Sequence, residues 1–164
     1  MTTSTNDGAG AALRPRAASF EGVRVLAASV LLIGGACSAV MLSVSPLEEA
    51  VRACIRLTAA TSGVLLVAVF PAAALRRRWP SAVTRWLLRN RRHLGLSVAA
   101  SHVGFHGAFI LVLYALGAGG DTPIVTVLGG GFGLLCLAVM ALTSTNAAQR
   151  RLGQHWRQLH LFCL

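Results

Sequence analysis

Lysine is absent from this chain, tyrosine occurs once, and the acidic residues number five in 164: Asp7, Glu21, Glu48, Glu49 and Asp121. With 12% charged residues the chain has too little polar surface for a soluble domain of this length, which excludes that class. The 15 basic residues are all arginine and sit in short segments between apolar blocks. That placement reads as membrane topology rather than nucleic-acid binding. Cys37, Cys54, Cys136 and Cys163 lack Cys-x-x-Cys spacing and lie mostly in apolar runs, so neither a disulfide framework nor a zinc site is indicated. Gly129-Gly130-Gly131-Phe132-Gly133 has no Lys-Ser/Thr after it, which excludes a phosphate loop. Its Gly129 and Gly133 have the spacing that lets membrane helices pack closely. Gly34-Gly35-Ala36-Cys37 resembles a lipoprotein cleavage site only faintly, because the apolar run continues well past the cysteine.

What is present in quantity is hydrocarbon. Hydrophobic residues make up 55% of the chain and mean hydropathy is +0.66. The apolar blocks predict an all-α integral membrane protein, a helical bundle of four full spans plus the start of a fifth. The spans are Val25 to Val44, Leu57 to Leu75 with Pro71 kinking its last turn, Leu94 to Leu116, and Ile124 to Leu142. The first is too long for a signal-peptide core and is expected to be retained. Residues 1–20, rich in Thr, Ser, Gly, Ala and Asn over Met1 to Ala18, are expected to form a disordered cytoplasmic leader. With the N-terminus cytoplasmic, every arginine but Arg52 and Arg56 falls inside, while Glu48, Glu49 and Asp121 fall outside.

The histidines are the candidates for chemistry on physical grounds, since an ionisable side chain in a hydrocarbon span costs about 2.5 kcal/mol or more without a partner. His102 and His106 lie inside an uncharged apolar run, four residues apart and therefore on one helix face. His160 lies where a further apolar run begins. His155 reads as interfacial, and His93, at the inner boundary, as either interfacial or a ligand. Metal ligation and plain hydrogen bonding between helices are the two roles open to such residues.

Arg91-Arg92-His93-Leu94-Gly95-Leu96 running into Ser101-His102-Val103-Gly104-Phe105-His106 resembles the third span of the ferric reductase-like transmembrane superfamily. The stretch from Thr143 to His160, with Gln149-Arg150-Arg151-Leu152-Gly153-Gln154-His155-Trp156-Arg157 at its centre, is similar to the loop before that superfamily's fifth span. The likeness is greatest to the haem-binding membrane subunit of bacterial periplasmic methionine sulfoxide reductase systems, and it extends loosely from about Leu57 to the end. It implies that residues 21–164 are a ferric reductase-like transmembrane domain. It also implies a six-helix bundle holding haem b between histidines of its third and fifth spans, with FMN or quinone as further cofactors. The family carries a second fifth-span histidine beyond the one matching His160, followed by a sixth span. The chain is accordingly expected to be a fragment or a truncated member, incomplete at the C-terminus, that alone holds haem weakly or not at all.

The axial candidates under this resemblance are His102, His106 and His160 for haem iron, with His93 as a further haem-binding residue. His160 is about 5 Å into its span and His106 about 18 Å into its own at 1.5 Å per residue, which makes them poor partners for one haem. His93 matches His160 in depth, and either His106 or His102 is the third-span ligand. The expected function is transmembrane electron transfer in the bacterial inner membrane. Electrons would pass from a cytoplasmic flavin reductase or quinol donor to an extracytoplasmic redox partner, as one component of an oxidoreductase. The alternative is a haem-free membrane scaffold or assembly subunit whose histidines are hydrogen-bond partners between helices.

Overall fold

Pro46, in an extended conformation, ends the turn after the first helix and starts the second, so this hairpin is set by a residue that has no N–H to lose. The structure is a computed structural model that describes residues 20–120 and 122–163; residues 1–19 of the expected leader, Arg14 and Arg16 among them, and Asp121 lie outside the described residues. Helix α1 is Val23–Ser43 and α2 is Leu47–Val69. The second span therefore starts at Leu47 rather than Leu57 and ends at Val69 rather than Leu75. Glu48 and Glu49 stand in its first turn, where they complement the helix dipole, and pair with Arg52 at 2.8 Å and Arg56 at 2.6 Å. These pairs let charged residues that read as loop continue the helix. At the other end Pro71 does not kink the last turn of α2; it caps a separate short helix, α3, Ala72–Arg78.

The third helix is longer than its apolar run. It extends without a break over Ala82–Ala115, 34 residues, as α4 (Ala82–Ala99), a π-helical segment (Ala100–His106) and α5 (Gly107–Ala115). Its start is a capping box: the Thr84 N–H donates to Ser81 Oγ at 3.1 Å and the Ser81 N–H to Thr84 Oγ1 at 3.0 Å. The turns before Leu94 are arginine-rich, so hydropathy alone hides them. Helix α6 is Ile124–Leu142, as expected. The segment after it, read as a loop, is largely helical: α7, Asn146–Leu152, is capped by Thr145, and α8, Gln154–Phe162, follows Gly153 at φ +52°. No strand occurs among the described residues.

Four of these helices are long and apolar enough to cross a membrane, and the chain is a multi-pass membrane protein whose exposed apolar faces meet lipid. Helix α2 is the hub, packed against α1, α4, the π segment and α5. One core cluster joins Val25, Val69 and Leu94 near the arginine-rich side; another joins Ile33, Cys37 and Cys54 with Phe105 and Phe109 against it. Arg52 donates to the Ala118 carbonyl at 2.9 Å and Arg92 to Asn146 Oδ1 at 2.7 Å, one contact on each side of the up-and-down bundle.

The start of α1 is strapped to α4. Trp86 Nε1 donates to the Phe20 carbonyl at 2.8 Å, the Gly22 N–H to Asn90 Oδ1 at 2.8 Å, and Arg89 pairs with Glu21 at 2.7 Å. Gly22 takes φ +68°, a left-handed conformation that glycine adopts at no steric cost. Gly129 and Gly133, expected to serve close helix packing, do not: a Cβ at either would meet nothing within 4 Å. Helix α6 packs on α4 and the π segment, and its Phe132 meets Phe162 of α8 edge to face with ring centroids 6.4 Å apart.

Candidate functional site: a polar seam at the third helix

Thr58, Thr61 and Ser62 fall on one face of α2 by their spacing, and that face meets the third helix. Ser101, fully buried, donates to the Thr58 carbonyl at 3.1 Å and lies 2.9 Å from Ser62 Oγ and 3.0 Å from Thr61 Oγ1. One turn along, His106 Nδ1 lies 3.1 Å from the Ile55 carbonyl and 3.2 Å from Thr58 Oγ1.

Ser101 and His106 are five residues apart, which an α-helix would place about 140° apart around its axis. Both nevertheless bond to α2. The π segment reconciles this, because an i→i+5 turn brings residues five apart onto one face. Its signature is the Gly107 N–H bonded to the His102 carbonyl. The same widening brings His102 almost over His106, with ring centroids 4.6 Å apart and planes 9° from parallel. The expectation that the two share a face holds, in a closer form than an α-helix gives.

The partners of His106 assign its tautomer. A carbonyl only accepts, and the Thr58 hydroxyl already donates to the Cys54 carbonyl at 2.7 Å. Nδ1 is therefore the donor to this pair, and in a neutral ring the lone pair is then on Nε2. His102 has no such anchor: its Nδ1 is buried without a hydrogen-bond partner. In rings stacked this nearly parallel, the in-plane lone pairs run side by side and do not converge, so the pair cannot chelate one ion.

The other candidates stand apart. His160 Nε2 lies 3.1 Å from Thr143 Oγ1, and its ring packs on Trp156, whose Nε1 donates to the Thr143 carbonyl at 2.9 Å. That ties α8 to the end of α6 rather than to the π segment. His93 is half-buried beside Gly22, its Nδ1 without a partner. His155 is exposed. Among the described residues no three His, Cys, Asp or Glu side chains come close enough to hold a metal ion.

The seam residues Thr58, Thr61, Ser62 and Ser101 were missed by a reading that weighed only ionisable groups. The available signal was three hydroxyl residues at i, i+3 and i+4 inside an apolar span. A groove of about 450 Å³ between α1, the third helix and α6 is lined by Leu26, Val30, Leu96, Ala100, Val103 and Ala138, among others, and contains no histidine. No family model, curated protein or solved structure matches this chain.

Proposed function

We propose that this chain is a haem b-binding, electron-transferring membrane subunit of the ferric reductase-like kind, in the bacterial inner membrane with its N-terminus cytoplasmic. The observation that carries the reading is the hydrogen bonding of His106: an imidazole inside a span whose Nδ1 is held by a backbone carbonyl, with no hydrogen bond to its Nε2 among the described residues. Metal-ligating histidines characteristically donate their other ring N–H in this way, which fixes the ring and raises its basicity. The donor set fits the group in part. His106 would supply one ligating nitrogen to haem iron, whereas His160 is engaged with Thr143 and, among the described residues, the histidine packed against His106 is His102, stacked in parallel on it.

Haem, when bound, supplies one-electron chemistry. The chain's own residues ligate and orient: α2 fixes the His106 ring, His102 stacks on it, and the apolar spans exclude water. His93, at the arginine-rich boundary, stands at the depth of a second level. FMN or quinone at that side, a cytoplasmic flavin reductase or quinol as donor, and an extracytoplasmic redox partner as acceptor belong to the same reading. The His106 bond across to α2 equally supports a haem-free scaffold in which histidines join helices. Visible spectra of the protein isolated from its native membrane separate the two. Haem b bands that change on dithionite reduction are expected; a featureless spectrum would leave the scaffold.

Orientation has its own test. Reporter fusions after Arg78 and after Thr143 are expected to report cytoplasm, and one at Gly119 the opposite side, because the arginines concentrate at the first two places. A periplasmic signal after Arg78 would overturn the N-in assignment.

A further inference from the structure

We propose that Thr58 is a positioning residue for His106, and that it prepares His106 rather than His102 to ligate; this rests on the haem reading above. Thr58 is fully buried on α2 and stands at the junction of the seam. Its carbonyl accepts from Thr61 at 3.1 Å, Ser62 at 2.6 Å and Ser101 at 3.1 Å, while its hydroxyl donates to a backbone carbonyl of its own helix, Cys54 at 2.7 Å or Ile55 at 3.1 Å. With the proton committed there, Thr58 Oγ1 can only accept from His106. It thus works with the Ile55 carbonyl as a two-acceptor clamp on Nδ1–H.

The clamp does two things. It selects the tautomer whose Nε2 has a free lone pair, and it holds the ring on the α2 side so that Nε2 is turned away from the Ile55 carbonyl. His102, one π turn before it, has a buried Nδ1 with nothing to bond, so neither its tautomer nor its ring angle is set from outside. Its stacked ring instead limits rotation of the His106 ring from one side. One imidazole of the pair is therefore anchored and the other is packing.

The test uses the full chain in lipid nanodiscs with ring-¹⁵N histidine and no haem added, comparing Thr58→Val, Thr58→Ser and Thr61→Val with the native sequence. Native His106 is expected to show a single Nδ1–H tautomer. Thr58→Val, which keeps shape and removes the acceptor, should introduce an Nε2–H population, and Thr58→Ser should restore the native signal. Thr61→Val loses a seam hydroxyl that does not touch His106 and should leave that signal alone.

A second measurement uses the protein from its native membrane carrying the same substitutions. Thr58→Val should weaken haem affinity about 10-fold and raise the midpoint potential, as loss of an outer hydrogen bond to a ligating imidazole does, and Thr58→Ser should reverse both. An Nε2–H tautomer in native His106, or an equal response to Thr61→Val and Thr58→Val, would overturn the proposal. A native protein without haem, whose His106 still answers to Thr58 in the nanodisc spectra, would support the clamp and overturn the haem reading alone.

Discussion

Replacing His106 with alanine is expected to lower the haem content of the protein in its native membrane by more than about 100-fold, since loss of a ligand should exceed the 10–100-fold cost of losing its outer-shell partner. His102→Ala should keep most of the haem. The asymmetry follows from the hydrogen bonds: His106 is anchored on Nδ1 by Ile55 and Thr58, and His102 by nothing. Because the stacked rings cannot share one iron, the two substitutions should not have equal effects. Haem per polypeptide, measured as the pyridine haemochrome, reads this directly. Equal loss in the two variants would show that the stacked pair acts as a unit, and unchanged haem in the double substitution would remove both residues from the ligands.

Ser101→Leu is expected to be the most destabilising single change in the seam. Ser101 has no exposed surface and touches Thr58, Thr61 and Ser62 through one hydroxyl. Overfilling a packed site costs about 1–3 kcal/mol, and each interhelical hydrogen bond of this kind adds about 0.6 kcal/mol. Together these come to about 3–5 kcal/mol. Ser101→Ala, which removes the bonds without adding volume, should cost about 1–2 kcal/mol from the same per-bond figure. Unfolding in mixed micelles by a denaturing detergent provides the measurement. Native stability in Ser101→Leu would mean that α2 and the third helix are not held at this point.

The four crossing helices were legible because a long uncharged run has few alternatives in a chain with so little polar surface. Their ends were less so, and each error has a local cause. The ion pairs of Glu48 with Arg52 and Glu49 with Arg56 carry α2 outward through residues that hydropathy counts as loop. The Ser81 and Thr84 box starts the third helix among arginines that mask its periodicity. At the site, the sequence pointed to His102 and His106 together, since any helix places residues four apart on one face. It could not separate them. That distinction depends on the π segment and on hydroxyls donated by a different helix, neither of which leaves a mark in spacing along one span. Helix α6 shows the reverse case: Gly129 and Gly133 have the spacing for close packing, but a Cβ at either would meet nothing within 4 Å among the described residues.

The third helix is also a question of length. At 1.5 Å per residue its 34 residues measure about 51 Å, against roughly 30 Å of hydrocarbon and 40–45 Å for a whole bilayer. The surplus gathers at one end, because Arg85, Arg89, Arg91 and Arg92 cannot be drawn into the lipid interior. The turns from Ala82 to His93 therefore form a stiff post about 18 Å tall, braced by α3 on one flank and by the Phe20 to Gly22 strap on another. A water-soluble protein approaching this face of the membrane would meet a fixed, positively charged pillar before it reached the headgroups.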